Sequence, residues 1–191
     1  MKIDEIRDKL QGTLSPKRFN HSLGVMETSV KLASLFGVDV KKAELAGLLH
    51  DCAREFKNEE VLKLCKEHNI EVDDVCEREP KLLHGPVGAV VARKEYGIED
   101  EEILGAIYCH TTGRKNMNAL DKIIFLADYV EPGRDFAGVE KVREVVFEDL
   151  DKGMVVSLIS IIKHLAKKKQ LIQKDTIDTW NFIITNMALE L

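Results

Sequence analysis

Apolar positions recur along nearly the whole chain at intervals of three and four residues, the spacing that keeps one side of an α-helix greasy. No stretch alternates for long enough to build a sheet. Ser15 ahead of Pro16 marks a helix start: the Ser side chain caps the first turn, and proline there gives up only an N–H that has no partner anyway. This helix is predicted to run to Phe36 before Gly37, with His21, Val25, Thr28, Leu32 and Leu35 on one face. Asp39 opens a second helix with a broad apolar stripe (Ala43, Leu45, Ala46, Leu48, Leu49), and His50 and Asp51 lie near its end. Asn58 caps a third through about His68, and residues 70–81 read as charged and irregular. A fourth runs from near Pro86 to Tyr96, so His84 falls just before it. Asp100 opens a fifth that ends near His110, and residues 111–117 form a loop. Asn118 caps a sixth, 119–129, with Asp128 in its last turn before Pro132 and Gly133 break it. Residues 139–150, 154–168 and 176–189 predict three more.

The expected fold class is therefore all-α, a helical bundle in a single domain covering 1–191. A functional core occupies about 15–135, and the C-terminal helices about 138–191. A hydrophobic content of 45% over 191 residues excludes a disordered chain. The charge, 28 Lys+Arg against 33 Asp+Glu, is −5 and spread along the chain, which argues against broad nucleic-acid binding. A polyanionic substrate would need positive charge supplied locally by metal ions or a few Arg and Lys. Charges at Lys2, Asp4, Glu5, Arg7, Asp8 and Lys9 leave no secretory signal, and no apolar stretch reaches the ~20 residues of a membrane span. A cytoplasmic protein without membrane partners is expected. Its cysteines, Cys52, Cys65, Cys76 and Cys109, lack CxxC spacing and read as reduced apolar fillers.

The chemistry rests on one set: His21, the pair His50-Asp51, His84, His110 and Asp128. Any one histidine on an apolar face is more often a core residue than a ligand, and His68 and His164, in charged surroundings, are not read as ligands. The carboxylates are harder to dismiss. Asp51 follows Leu48 and Leu49, and Asp128 follows Ile123, Ile124, Phe125, Leu126 and Ala127. A buried carboxylate must be paired, protonated or bound to metal, and no Lys or Arg stands at the neighbouring helical positions of Asp128. Imidazole and carboxylate without thiolate suit Fe, Mn, Co, Ni or catalytic Zn. Six ligands are too many for one ion that still binds substrate. Shared over two ions, with Asp51 bridging them at about 3.5–4 Å, they leave open positions and a solvent acidified towards hydroxide. There is no Gly-rich phosphate loop, and although Cys109 is next to His110 in sequence, neighbours in a helix diverge by ~100°, so no Ser or Cys is paired with a base as a nucleophile would be.

The order H…HD…H…H…D resembles the HD-domain metal-dependent phosphohydrolases in their six-ligand, dinuclear branch. Arg18 before His21, the run His84-Gly85-Pro86-Val87-Gly88-Ala89, the run His110-Thr111-Thr112-Gly113-Arg114, and Ala127-Asp128-Tyr129-Val130-Glu131-Pro132 with Arg134 are together similar to the bacterial YqeK family of symmetrical diadenosine tetraphosphate hydrolases. The resemblance implies a di-iron site that cuts a dinucleoside tetraphosphate in the middle by attack of a metal-bridging hydroxide. It implies one ion on His21, His50, Asp51 and Asp128, the other on Asp51, His84 and His110, with Asp51, His84 and Arg134 carrying catalysis.

Spacing from these ligands makes Arg18, Arg54, Arg114, Lys122 and Arg134 candidate phosphate cations, with Thr111 and Thr112 as hydroxyl donors. Glu131 is a candidate for orienting a ligand histidine. Two other readings stay open at this level: a phosphohydrolase of another nucleotide or phosphorylated metabolite, and a metal-stabilised module without turnover. Trp180, Phe182 and Ile183 suit either a homodimer seam or a cover for the core.

Overall fold

Side chains at the chain's punctuation points cap the helices as the pattern predicts. A computed structural model of the protein describes residues 1–186. Ser15 Oγ accepts the amide of Arg18, Asp39 those of Lys41 and Lys42, and Asp100 those of Glu102 and Ile103. Asn118 and Asp121 cap each other's amides reciprocally. The resulting helices are α1 (Ile3–Thr13), α2 (Pro16–Phe36), α3 (Val40–Leu49), α4 (Asn58–Glu67), α5 (Asp74–Arg78), α6 (His84–Tyr96), α7 (Glu101–Cys109), α8 (Ala119–Val130), α9 (Val139–Glu148), α10 (Leu150–Lys167) and α11 (Lys174–Asn186). Among the described residues there is no strand, and no helix is long and apolar enough to cross a membrane.

Several boundaries differ from the sequence reading. The charged start of the chain forms α1, which buries only Ile6 and Leu10, a stripe too sparse to show as a period. Residues 70–81 are not irregular throughout: Asp73 caps α5 by accepting the amide of Cys76, and a 3-10 turn at Pro80–Leu83 follows. That turn runs straight into α6, so His84 is its first residue and Pro86 its third, where a missing N–H still costs nothing. Asn58 is the first residue of α4 rather than its cap. Asp149 accepts the amides of Asp151 and Lys152 and starts α10 at Leu150, four residues earlier than predicted. Leu35 is 55% exposed, while Ala33 and Phe36 of the same turn face the core. The predicted end of the last helix at Leu189 lies outside the described residues.

The long α2 lies along α3 and α8, and α7 packs against α3, α6 and α8. These inner helices share a core that includes Val25, Leu32, Leu48, Ile107, Ile123 and Leu126. α9 and α10 cover the outer side of α8, and α11 packs on α10. Ile183 is buried and Trp180 packs against the core, so α11 serves as a cover.

Candidate metal centre

Four histidines reach one point from four places: the second turn of α2 (His21), the C-terminal ends of α3 and α7 (His50, His110) and the start of α6 (His84). Two close approaches make this possible. A Cβ on Gly85 would lie 2.6 Å from the Tyr108 carbonyl oxygen, so the crossing that brings His84 to His110 requires glycine. A Cβ on Gly24 would lie 2.6 Å from Glu131 Oε2, and its absence admits the Glu131 carboxylate next to His21.

Each imidazole is held by its Nδ1. His50 donates to the Gly47 carbonyl (2.8 Å), His84 to Lys81 (2.5 Å), His110 to Ile107 (2.7 Å), and His21 to Glu131 Oε1 (3.0 Å). These partners only accept, so the Nδ1 atoms carry the protons and each neutral ring turns a bare Nε2 inward. The Nε2 atoms of His84 and His110 are 2.9 Å apart, and those of His21 and His50 are 3.2 Å apart. Lone pairs facing at such distances repel unless positive charge lies between them.

The carboxylates complete the set. Asp51 Oδ1 lies 3.1 Å from His84 Nε2 and 3.8 Å from His110 Nε2. Its Oδ2 lies 3.4 Å from His50 Nε2 and 3.6 Å from His21 Nε2. Asp128 Oδ1 lies 3.0 Å from His21 Nε2 and 3.8 Å from His50 Nε2. Two ligands each about 2.1 Å from one ion, at angles of about 90–130°, are separated by about 3.0–3.8 Å, so the spacing suits a first coordination sphere. The His and Asp side chains fit divalent metal.

Electrostatics point the same way. His50, Asp51, His84 and His110 are buried, whereas the Asp128 side chain is 24% exposed at the mouth. Burial pushes the Asp51 carboxyl up, but positive charge at the facing Nε2 positions of His50, His110 and His84, whether a proton or a metal cation, outweighs it and holds it well below the usual carboxylate range. Burial opposes ionisation of Asp128 too, and His21, His50 and Arg134 reverse the balance. Burial, helped by His110, pushes His84 down against the pull of Asp51, which favours the neutral ring a metal needs. Cys52, beside Asp51 in sequence, is buried and its thiol is pushed up to about 12, so it stays protonated.

The cations divide into two groups. Arg18 donates to Asp51 Oδ2 at 2.7 Å. Arg134, from the turn beyond α8, donates to the Asp128 carboxylate and carbonyl; the local helical positions gave no sign of this partner. Both line a cleft of about 530 Å³ beside His21, together with Lys17, Asn20 and Gly133. Arg54 is near enough that its charge acts on His84. Thr111 Oγ1 lies 3.1 Å from both His84 Nε2 and His110 Nε2. The structure places the rest elsewhere. Arg114 is bound to the buried Asp121 through Nε (3.0 Å) and a terminal nitrogen (2.7 Å), Lys122 pairs with Asp151, and the Thr112 hydroxyl turns to the Gly113 carbonyl. Lys17, four residues before His21 and so also one helical turn away, was missed by the sequence reading although its spacing could have marked it; nothing in its spacing marks Asn20. Glu131 does touch His21, the role its position beside Asp128 suggested.

The chain is similar to known proteins. The HD domain family matches residues 18–133. A protein of Halalkalibacterium halodurans named bis(5'-nucleosyl)-tetraphosphatase, symmetrical, is 46% identical over 171 residues, 90% of this chain and 91% of the relative. A Bacillus subtilis protein of the same name is 39% identical over 90% of this chain and 92% of its own length. A crystal structure described as a predicted HD superfamily hydrolase involved in NAD metabolism from Clostridium acetobutylicum superposes with a TM-score of 0.95 at 43% identity, covering 98% of this chain and 99% of that one. The chain belongs to the HD domain family and, within it, to the group of symmetrical bis(5'-nucleosyl)-tetraphosphatases.

Proposed function

We propose that the protein hydrolyses dinucleoside tetraphosphates, diadenosine tetraphosphate first among them, between the two inner phosphates to give two nucleoside diphosphates. One observation carries the reading: the two oxygens of Asp51 face two different pairs of bare imidazole nitrogens. A carboxylate so placed would be a ligand to two cations, one on each oxygen. His21, His50, Asp51 and Asp128 would hold one, and Asp51, His84 and His110 the other, with iron as the favoured metal. Bound there, the ions supply the Lewis acidity that activates water and draws phosphate oxygens.

The chain's own groups do the rest. Gly47, Lys81, Ile107 and Glu131 lock the tautomer and orientation of the four rings, so the donor set is formed before any ligand arrives. Arg18 and Arg134 border the cleft with their side chains 29% and 36% exposed. With Asp51 and Asp128 serving as metal ligands, the solvent-facing nitrogens of these guanidiniums would orient the polyphosphate, while Arg134 keeps its Nε bond to the Asp128 carbonyl. Arg54 and the Thr111 hydroxyl serve the side of His84 and His110. Arg114, Lys122 and Thr112, committed to other partners, are left out of the phosphate site.

The test is product analysis. Diadenosine tetraphosphate incubated with the Fe²⁺- or Mn²⁺-loaded protein should yield ADP alone by ion-exchange chromatography. AMP and ATP in equal amounts would overturn the central cut, and inertness towards this substrate beside turnover of a mononucleotide would move the activity to another substrate.

A further inference from the structure

The segment after α8 has to leave a helix and then hold two side chains still: Glu131, which orients His21, and Arg134, which grips Asp128. It makes a tight turn in which the Arg134 amide donates to the Glu131 carbonyl at 2.9 Å. Turns of this kind leave carbonyls that no helix or sheet satisfies. A single side chain takes three of them. Arg143 Nε donates to the Val130 carbonyl (2.8 Å), and one of its terminal nitrogens donates to the carbonyls of Glu131 (2.9 Å) and Arg134 (2.7 Å). Its other terminal nitrogen pairs with Glu140, and the side chain is only 20% exposed.

We infer that Arg143 is a positioning residue for the metal centre, reaching it through the turn and not by contact. Its planar fork spans the three oxygens, which a lysine ammonium does not match. The residue stands on α9, beyond residue 133, where the match to the HD domain ends. This clasp therefore ties the C-terminal helices to the site: α9 sets the place of the turn, the turn sets Glu131 and Arg134, and these set His21 and Asp128. The inference rests on the reading of the cluster as a cation site only for its second readout, and the first does not depend on it.

The first readout is amide hydrogen exchange of the metal-free protein. Arg143→Lys is expected to raise exchange at residues 131–134 and to leave α2, α3 and α7 protected, whereas Glu144→Gln, an exposed neighbour on the same helix, changes neither. The second is calorimetric titration with Mn²⁺, in which Arg143→Lys should weaken binding at least about tenfold, the usual cost of disturbing an orienting contact behind a ligand. Arg143→Ala should show both effects more strongly. Unchanged exchange at 131–134 would refute the clasp itself. Looser exchange with wild-type Mn²⁺ affinity would refute its role at the centre and leave Arg143 a helix-packing residue.

Discussion

Replacing Gly85 by alanine tests whether the crossing of α6 and α7 assembles the centre. The new Cβ would meet the Tyr108 carbonyl oxygen at 2.6 Å and that of Ile107 at 3.2 Å, where ordinary contacts begin at 3.4 Å. Roughly 0.8 Å must be found between two stretches of helical backbone, with no flexible side chain to yield. Overpacking of this kind costs about 1–3 kcal/mol. In a chain of this size that is a melting point lower by about 2–12 °C. The same displacement separates His84, one residue before the glycine, from His110, whose Nε2 atoms stand 2.9 Å apart. Urea denaturation of the metal-free protein reads the stability loss, and Mn²⁺ titration reads the affinity, expected to fall by about tenfold or more. Gly12→Ala is the control, since a Cβ there meets nothing within 4 Å and alanine suits the helix interior better. If Gly85→Ala keeps both the midpoint and the Mn²⁺ affinity of the wild type, the close crossing is not what brings the two histidines together.

Four further outcomes follow from named contacts. Asp51→Ala should abolish turnover and reduce metal content together, because both proposed ions lose a ligand; a variant with two ions and wild-type rate would sink the bridging assignment. Glu131→Gln removes the charge behind His21 and should lower metal affinity about 10–100-fold, which competition with a fluorescent chelator measures. Arg134→Ala should raise KM for the tetraphosphate about tenfold or more, and steady-state kinetics with an unchanged KM would leave it only as a holder of Asp128. Arg114→Ala, in contrast, strands the fully buried Asp121 carboxylate and should cost about 3 kcal/mol of stability with KM little changed. A large rise in KM without loss of stability would return Arg114 to the phosphate site.

How much was legible in the chain varies with the range of the interaction. Helix starts at Pro16, Val40, Glu101 and Ala119 were readable because a cap acts on amides two or three residues away. α1 and α5 were not, since their helicity owes more to packing on the rest of the protein than to their own sparse apolar pattern. His84 moved from before a helix to its first residue because the 3-10 turn ahead of it carries almost no periodic signal.

The site divides in the same way. Its four histidines and two aspartates stood out as a set, because imidazoles and carboxylates on greasy helices are costly to bury without a cation, and that cost is a property of residue type. Which cations serve the substrate is not such a property. Arg18, Arg114, Lys122 and Arg134 look alike along the chain, and only packing decides that Asp121 and Asp151 claim two of them while the other two border the cleft. Sequence by itself determined the capped helices and the imidazole–carboxylate donor chemistry, which follow from local hydrogen bonding and from the solvation of single groups. Tertiary structure alone decided the pairing of Asp51 with both imidazole pairs and the grip of Arg143 on a distant turn, because those depend on distances between helices that no local rule sets.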